Sequence, residues 1–263
     1  MPLKKLETGD RDLAFAESLG IKVRILPDWE LHYMMYRPGI AAIRFESFLE
    51  IPTMALQSTP QNEGQVLIKH VFDFMAALGL TIILLPVFIV IGSAIKLFSK
   101  GPALYTQERL GMNGRRFKVY KFRTMVEDAD ERLKELEEMN EADGPAFKIK
   151  NDPRIIPWVG TFLRKTSLDE LPQLFNVLKT EMSLVGPRPP IPKEVNEYSV
   201  WHRRRLSMKP GMTCLWQIAP RRNELSFDEW IKLDLKYIDT WSLFNDFKIL
   251  MLTARAVLTG AGR

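Results

Sequence analysis

From Phe74 to Ile95 the chain runs for 22 residues without an Asp, Glu, Lys or Arg. About 20 such residues cross a bilayer core as a helix. The run begins far from Met1, and no charged lead with a small-residue cleavage site precedes it, so it does not read as a secretory leader and is expected to stay in the mature protein. Pro86 lies near its midpoint, and a mid-helix proline removes one backbone hydrogen bond and bends the helix. Lys69 and His70 precede the run, and Lys96 and Lys100 follow it. A simple crossing carries its Lys/Arg excess on one side only. With both flanks basic, the expectation is a broken helix that enters and leaves on the same face. The alternative is an ordinary crossing kinked at Pro86, since neighbours in a bundle can satisfy the freed carbonyl.

The rest of the composition is that of a folded protein. A hydrophobic content of 46% over 263 residues supports a packed core in one large domain or two modest ones. The single cysteine, Cys214, excludes an internal disulfide. His32, His70 and His202 are scattered and have no paired cysteines, which argues against a structural zinc site. A reducing, cytoplasm-facing location fits. The net charge of +5 suits nucleic acid, anionic lipid or a phosphorylated substrate, and its sign alone chooses none of them.

Three regions follow. Residues 1–65 are mixed, with a short apolar stretch at Ile21, Val23, Ile25 and Leu26 that reads as a strand at the end of an α/β unit. Residues 66–100 hold the membrane run. Residues 101–263 are expected to form a compact domain. In it, Ala103 to Arg109 and Arg116 to Phe122 have β character around Gly111-Met112-Asn113-Gly114, which supplies the positive φ angles of a hairpin turn. Val126 to Asp143 is charged around a thin apolar stripe and reads as a solvated helix. Ser226 with Glu229 is a capping box opening a helix whose apolar residues, Phe227, Trp230, Ile231, Leu235, Ile238 and Trp241, recur at helical period. That helix faces either a core or a headgroup layer, with core packing preferred. A last helix is expected from Asn245 to Leu258. The fold class is mainly α with a small β-hairpin, α+β.

Chemistry is concentrated at three places. In Arg164-Lys165-Thr166-Ser167-Leu168-Asp169-Glu170-Leu171-Pro172-Gln173, two adjacent carboxylates stand just behind two cations at a helix start. A Ser167–Glu170 capping box accounts for Glu170 but not for Asp169. An aspartate in a first helical turn is favoured in its ionised form by the helix dipole and nearby cations, and can attack phosphorus or hold a divalent metal. Val185-Gly186-Pro187-Arg188-Pro189-Pro190 fixes a guanidinium on a rigid turn suited to phosphate, or to pairing with a surface carboxylate. Arg221-Arg222-Asn223 follows Trp216 and Gln217, a combination that could hold a base and its diphosphate or form a loop with a packed tryptophan.

Together these pieces carry a resemblance. Lys121-Phe122-Arg123-Thr124-Met125, Asn151-Asp152-Pro153-Arg154, Thr166 to Leu174, Gly186-Pro187-Arg188-Pro189 and Lys209-Pro210-Gly211 closely resemble the bacterial sugar transferases, the monotopic phosphoglycosyl transferases. The match in order and spacing runs from about Lys69 to the C-terminus. The resemblance implies a re-entrant membrane helix broken at Leu85-Pro86 and a small helical domain with one β-hairpin on the inner leaflet of the bacterial cytoplasmic membrane. It implies that Asp169 attacks the sugar-bearing phosphate of a UDP-sugar, releases UMP, and passes the phosphosugar to polyprenyl phosphate, the first membrane step of exopolysaccharide, capsule or O-antigen assembly. Glu170 matches the second member of the family's Asp-Glu pair. Mg²⁺ is expected on Asp169. Arg123, Arg164, Arg188 and Arg222 match phosphate- and nucleotide-facing positions.

The chain departs from the family pattern at Cys214, where a glycine is common, and at Ala219 to Asn223, which carries one extra residue. Arg222 is therefore a looser match than Arg188. The first 65 residues resemble the end of a nucleotide-fold extension of longer members, so the chain reads as a shortened member. Expected partners are the UDP-sugar, polyprenyl phosphate and inner-leaflet lipid, with no nucleic acid, and a homo-oligomer is compatible. Glucose or galactose is the sugar suggested by the longer members, with N-acetylated sugars open. Rival readings are a membrane-bound metal-dependent phosphohydrolase using Asp169 and Glu170 on water, and a non-catalytic lipid-binding scaffold.

Overall fold

In the computed structural model, which describes residues 14–16, 18–21, 23–25, 42–48, 51–57, 63–126, 128, 129, 131, 152–219 and 225–259, the apolar run is divided between two helices. α1 spans Glu63–Ile83 and α2 spans Leu85–Phe98. Leu84 between them has φ −87° and ψ 3°, outside the helical basin, and Pro86 falls in the first turn of α2, where a missing N–H leaves no helical bond unmade. The break thus lies where the proline put it. By length and composition α1 can cross a membrane. Many of the apolar side chains of both helices, including Leu67, Ile82, Ile83, Ile89, Val90 and Leu97, are exposed, and exposed apolar surface of this extent marks a contact with lipid or another protein.

Lys69 is not the free basic flank that the sequence suggested. Its ammonium is buried, 2.6 Å from Asp246 Oδ2 and 3.4 Å from Asp73 Oδ2, and it donates to the Val185 carbonyl at 3.0 Å. Its charge is neutralised inside the protein, so it does not count towards the basic character of that flank.

Three small sheets occur among the described residues. β1 (Val23–Ile25), β2 (Ala42–Phe48) and β3 (Ile51–Gln57) form an antiparallel sheet in the order β1-β3-β2. The strand expected after Gly20 is there, but antiparallel pairing is not that of the end of a βαβ unit, and the sequence reading missed β2 and β3. β4 (Leu104–Leu110) and β5 (Arg116–Phe122) form the expected hairpin, turned by Asn113 (φ 58°) and Gly114 (φ 71°). β5 alternates as a half-buried strand should, with Phe117 and Val119 on one face. Its outer edge is closed by Asn176, which is fully buried, accepts from the Tyr120 N–H at 3.0 Å and donates to the Lys118 carbonyl at 2.7 Å.

Short helices follow: α3 (Val159–Thr166), a 3-10 turn at Leu168–Gln173, and α4 (Leu174–Leu178). β6 (Ser183–Val185) pairs in parallel with β7 (Gly211–Thr213), again unforeseen, with α5 (Pro192–Asn196) and α6 (Val200–Arg203) between them. Glycine is required where the two strands meet, because a Cβ on Gly211 would lie 2.0 Å from the Gly186 nitrogen. α7 (Phe227–Asp239) opens on the Ser226–Glu229 capping box as expected and buries Phe227, Ile231, Tyr237 and Ile238, so it faces the core. α8 (Leu243–Thr259) buries Ile249 and exposes Phe244, Phe247 and Met251.

One core cluster joins Ala77 of α1, Phe117 and Val119 of β5, Leu174 and Val177 of α4, Leu184 and Val185 of β6, Tyr237 of α7 and Ile249 of α8. A second joins Ile91 and Ile95 of α2 to Phe122 and Leu163. Both halves of the broken helix are therefore packed on the domain that carries the carboxylates. The fold is α+β, as expected. Most of the predicted Val126 to Asp143 helix lies outside the described residues.

Candidate active site

The hairpin contributes more to the site than the sequence reading gave it. Register pairs Tyr105 with Lys121, Gln107 with Val119, and Arg109 with Phe117, so these six share one face. Phe117 and Val119 bury into the core on that face, and the same alternation turns Lys121 and Arg109 inward beside them. The 3-10 turn Leu168–Gln173 packs against β5. Ser167, which opens it, has φ 57° and makes no side-chain cap, so the expected Ser167–Glu170 capping box does not form. Glu170 instead accepts a hydrogen bond from Lys121 Nζ at 2.6 Å.

That choice separates the two carboxyls. Burial raises the Glu170 pKa, but Lys121, then Arg188 and Arg109, outweigh it and hold the group below the usual range. Asp169 is pushed the other way, from an ordinary 3.8 to about 6, by burial first and then by the like charge of Glu170; Lys121 and Arg164 counter only part of this. The sequence reading had the Asp169 charge favoured by a helix dipole and cations. A single 3-10 turn supplies little dipole, and desolvation wins. The result is one carboxylate fixed in an ion pair and a neighbour that is half-buried and poised to gain from any added positive charge.

Arg164 comes from the last turn of α3, and its Nε donates to Thr124 Oγ1 at 3.1 Å. Asp152 and Arg154, in the Asn151 to Arg154 motif, form a buried pair at 2.6 Å, and Arg164 contributes to holding Asp152 ionised after that pair. Arg188 lies 3.8 Å from Glu194 Oε1, and its field reaches both Glu170 and Arg109. Arg109 donates to the Pro189 carbonyl at 3.0 Å, and burial, then the neighbouring Arg188, lowers its pKa to about 10. Buried Arg205 donates to Tyr198 Oη and the Arg188 carbonyl, both at 3.0 Å, and to Asp234. Burial lowers its pKa, but Asp234, Tyr198 and Glu194 outweigh that and hold it above the ordinary arginine range.

The structure thus brings Asp169, Glu170, Arg164 and Arg188 into one electrostatic neighbourhood. Arg123, next to the Thr124 that receives Arg164, donates from Nε to the Met125 carbonyl and from Nη1 to the Lys100 carbonyl, each at 3.2 Å, on the turn that leaves α2. Gly101 there has φ 106°, and a Cβ on it would fall 2.0 Å from Arg123 Nη1. Arg222 lies outside the described residues. Pro86 stands in the helix whose Ile91 and Ile95 touch Leu163, one residue before Arg164. Lys121 and Arg109 are the site residues that sequence reasoning missed, although a cation in strand alternation with buried apolar residues was a readable signal.

No group of three or more His, Cys, Asp or Glu among the described residues could by itself hold a metal. Mg²⁺ does not need one, because it takes one or two carboxylates and completes its shell with water and substrate phosphates. Asp169, with its raised pKa, and adjacent Glu170 fit that role.

A carboxylate set among guanidinium and ammonium groups is an arrangement chemically suited to anionic, phosphate-like groups. The sequence pattern of the family described as bacterial sugar transferase matches residues 64–260, and the chain belongs to that family. It is 52% identical over 162 residues to the galactosyl transferase CpsE of Streptococcus agalactiae serotype III (strain NEM316), covering 62% of this chain and 36% of that protein. It is 42% identical over 217 residues to the undecaprenyl-phosphate galactose phosphotransferase of Salmonella typhimurium (strain LT2), covering 81% and 45%. With the exopolysaccharide production protein ExoY of Rhizobium meliloti (strain 1021) the identity is 40% over 212 residues, covering 77% of this chain and 93% of that one. The chain spans less than half the length of the first two relatives.

Proposed function

We propose that this protein transfers a sugar-1-phosphate from a UDP-sugar to a polyprenyl phosphate through a covalent aspartyl intermediate. The observation that carries the reading is the divided carboxylate pair: Glu170 is tied to Lys121, while Asp169 is held beside it without that partner, near Arg164. An Asp169 oxygen attacks the phosphorus that bears the sugar. The bond from that phosphorus to the bridging oxygen breaks, and UMP leaves with the oxygen. An oxygen of polyprenyl phosphate then attacks the same phosphorus, and the Asp169 carboxylate is restored. Phosphoryl transfer asks mainly for alignment and charge stabilisation, which Arg164, Arg188, Arg109 and Lys121 supply around the reacting group. Asp169 and Glu170 would hold Mg²⁺, which neutralises phosphate oxygens when bound.

Placement follows from the same surface. One substrate is soluble and the other sits in lipid, so the site must lie where both reach it. In this reading the Pro86 break makes α1 and α2 a re-entrant pair on the cytoplasmic face of the membrane. The exposed apolar side chains of α1, α2 and α8, with Phe162 of α3 and Trp158 just before it, contact the lipid. Galactose or glucose is the sugar proposed, on the printed names of the relatives, which include an undecaprenyl-phosphate glucose phosphotransferase of Komagataeibacter xylinus.

The test is incubation with UDP-galactose or UDP-glucose and Mg²⁺ in detergent, without acceptor, followed by mass spectrometry. UMP release with a phosphosugar adduct on Asp169 is expected. Free sugar phosphate and UMP without an adduct would favour the hydrolase instead.

A further inference from the structure

The Gly186 to Pro190 turn is braced from outside, in part by Arg205, a group to which the reaction assigns no role. Pro187, Pro189 and Pro190 have no N–H, so the turn has few donors with which to brace itself. The four consecutive carbonyls from Pro187 to Pro190 are held from outside. The Pro187 carbonyl accepts from Gly211 N at 2.9 Å, that of Arg188 from Arg205 Nη2 at 3.0 Å, that of Pro189 from Arg109 Nη1 at 3.0 Å, and that of Pro190 from Leu110 N at 2.9 Å. Two of the four donors are guanidinium groups. Arg205 is 4% exposed, and it is itself pinned, since Nη1 donates to Tyr198 Oη and Nη2 to fully buried Asp234 on α7. The Arg188 side chain, in contrast, is 31% exposed. The backbone under it is clamped while the guanidinium, 3.8 Å from Glu194 Oε1, keeps part of its surface exposed.

We propose that Arg205 is a positioning residue for the donor's diphosphate: Asp234 and Tyr198 fix its guanidinium, and it fixes the Arg188 carbonyl so that the Arg188 side chain meets the phosphates in one orientation. This rests on the reading of Arg188 as a phosphate ligand. The physical reason is entropic and geometric. A fork held by a rigid backbone loses little freedom on gripping an anion, and a displacement of about 1 Å at a reacting phosphate is enough to lower turnover about a hundredfold. A lysine at 205 keeps the charge opposite Asp234 but cannot span Asp234, Tyr198 and the Arg188 carbonyl together.

The experiment is a double-mutant cycle on the full chain in detergent micelles, with UMP release as the readout and hydrogen exchange as a second measurement. Arg205→Lys and Tyr198→Phe are made alone and in an Arg188→Ala background, the milder Tyr198→Phe serving if Arg205→Lys does not fold. Each is expected to lower kcat/KM about tenfold or more in the wild-type background and less than about twofold once Arg188 is gone. The Gly211 and Leu110 amides, which donate into the turn, are expected to exchange faster in both single variants without any substrate. A merely structural role gives equal losses in both backgrounds, and that result, or unchanged kcat/KM in a folded variant, overturns the proposal. A wild-type chain that releases no UMP from any UDP-sugar overturns the reading of the site and the phosphate role with it; amide exchange then still decides whether Arg205 holds the turn.

Discussion

Replacing Lys69 by methionine should destabilise the protein more than any loss of packing volume explains. The methionine fills nearly the same space, so the perturbation is electrostatic. In the native structure Lys69 Nζ is shared between Asp246, Asp73 and the Val185 carbonyl, and all three charged side chains are less than 10% exposed. Without the ammonium, Asp73 keeps its bond from Ser183 Oγ at 2.5 Å, and Asp246 keeps those from Tyr237 Oη at 2.7 Å and Trp241 Nε1 at 3.2 Å. Neither keeps a cation in contact, and the Lys209 ammonium still acts on Asp73 only from a distance. Two buried carboxylates would then face each other uncompensated, and breaking such a pair costs about 3–5 kcal/mol. For a domain of this size that is a fall in Tm of roughly 10 °C. The assay is thermal unfolding in detergent at pH 8 and pH 5. Protonating one orphaned carboxylate relieves the repulsion, so the deficit should shrink as pH falls. Adding Asp246→Asn to Lys69→Met should recover a large part of it at pH 8. A change below about 1 kcal/mol, or a deficit equal at both pH values, would refute the reasoning.

Asp169→Asn should abolish UMP release and raise Tm at pH 8. The folded pKa is raised to about 6, so the protonated form is the one the fold favours; that stability is present below about 4 and lost as pH rises through 6. The ionised group therefore destabilises the native state at pH 8 by at most about 3 kcal/mol, roughly half that with solvent screening, and the two proteins should converge at pH 4. Asn176→Ala leaves the Tyr120 N–H and Lys118 carbonyl on the β5 edge without their partner, and should cost about 2–3 kcal/mol in denaturant unfolding. Chelation with EDTA should stop UMP release, and Mg²⁺ should restore it; full activity in EDTA would exclude the ion from the site.

The parts of the fold legible in the sequence are those set by local chemistry. Pro86 inside an uncharged run, Asn113-Gly114 between two β stretches, and Ser226 with Glu229 each act within a few residues, and each produced the expected element. The parallel pair β6–β7 was hidden because its register joins Ser183 to Gly211, and strands of three residues carry no alternation to read. Lys69 was misread for a related reason. As a residue in sequence it is a basic flank, and only Asp246, on the last helix, converts it into a buried tether.

Within the site, residue types were legible but their division of labour was not. Asp169 and Glu170 are consecutive, and nothing in their order says which would be paired. The hairpin decides, because strand alternation delivers Lys121 to Glu170 and leaves Asp169 to burial and the charge of Glu170, which raise its pKa. An ion pair on Asp169 itself would lower its energy and its nucleophilicity together, whereas an adjacent pair keeps positive charge near without occupying its oxygens. Lys121, in Lys121-Phe122-Arg123, therefore shapes the surroundings of the proposed nucleophile as much as the order of the two carboxylates does. A bound phosphate group would compete with Glu170 for Lys121, coupling donor binding to the charge on Asp169 through one side chain.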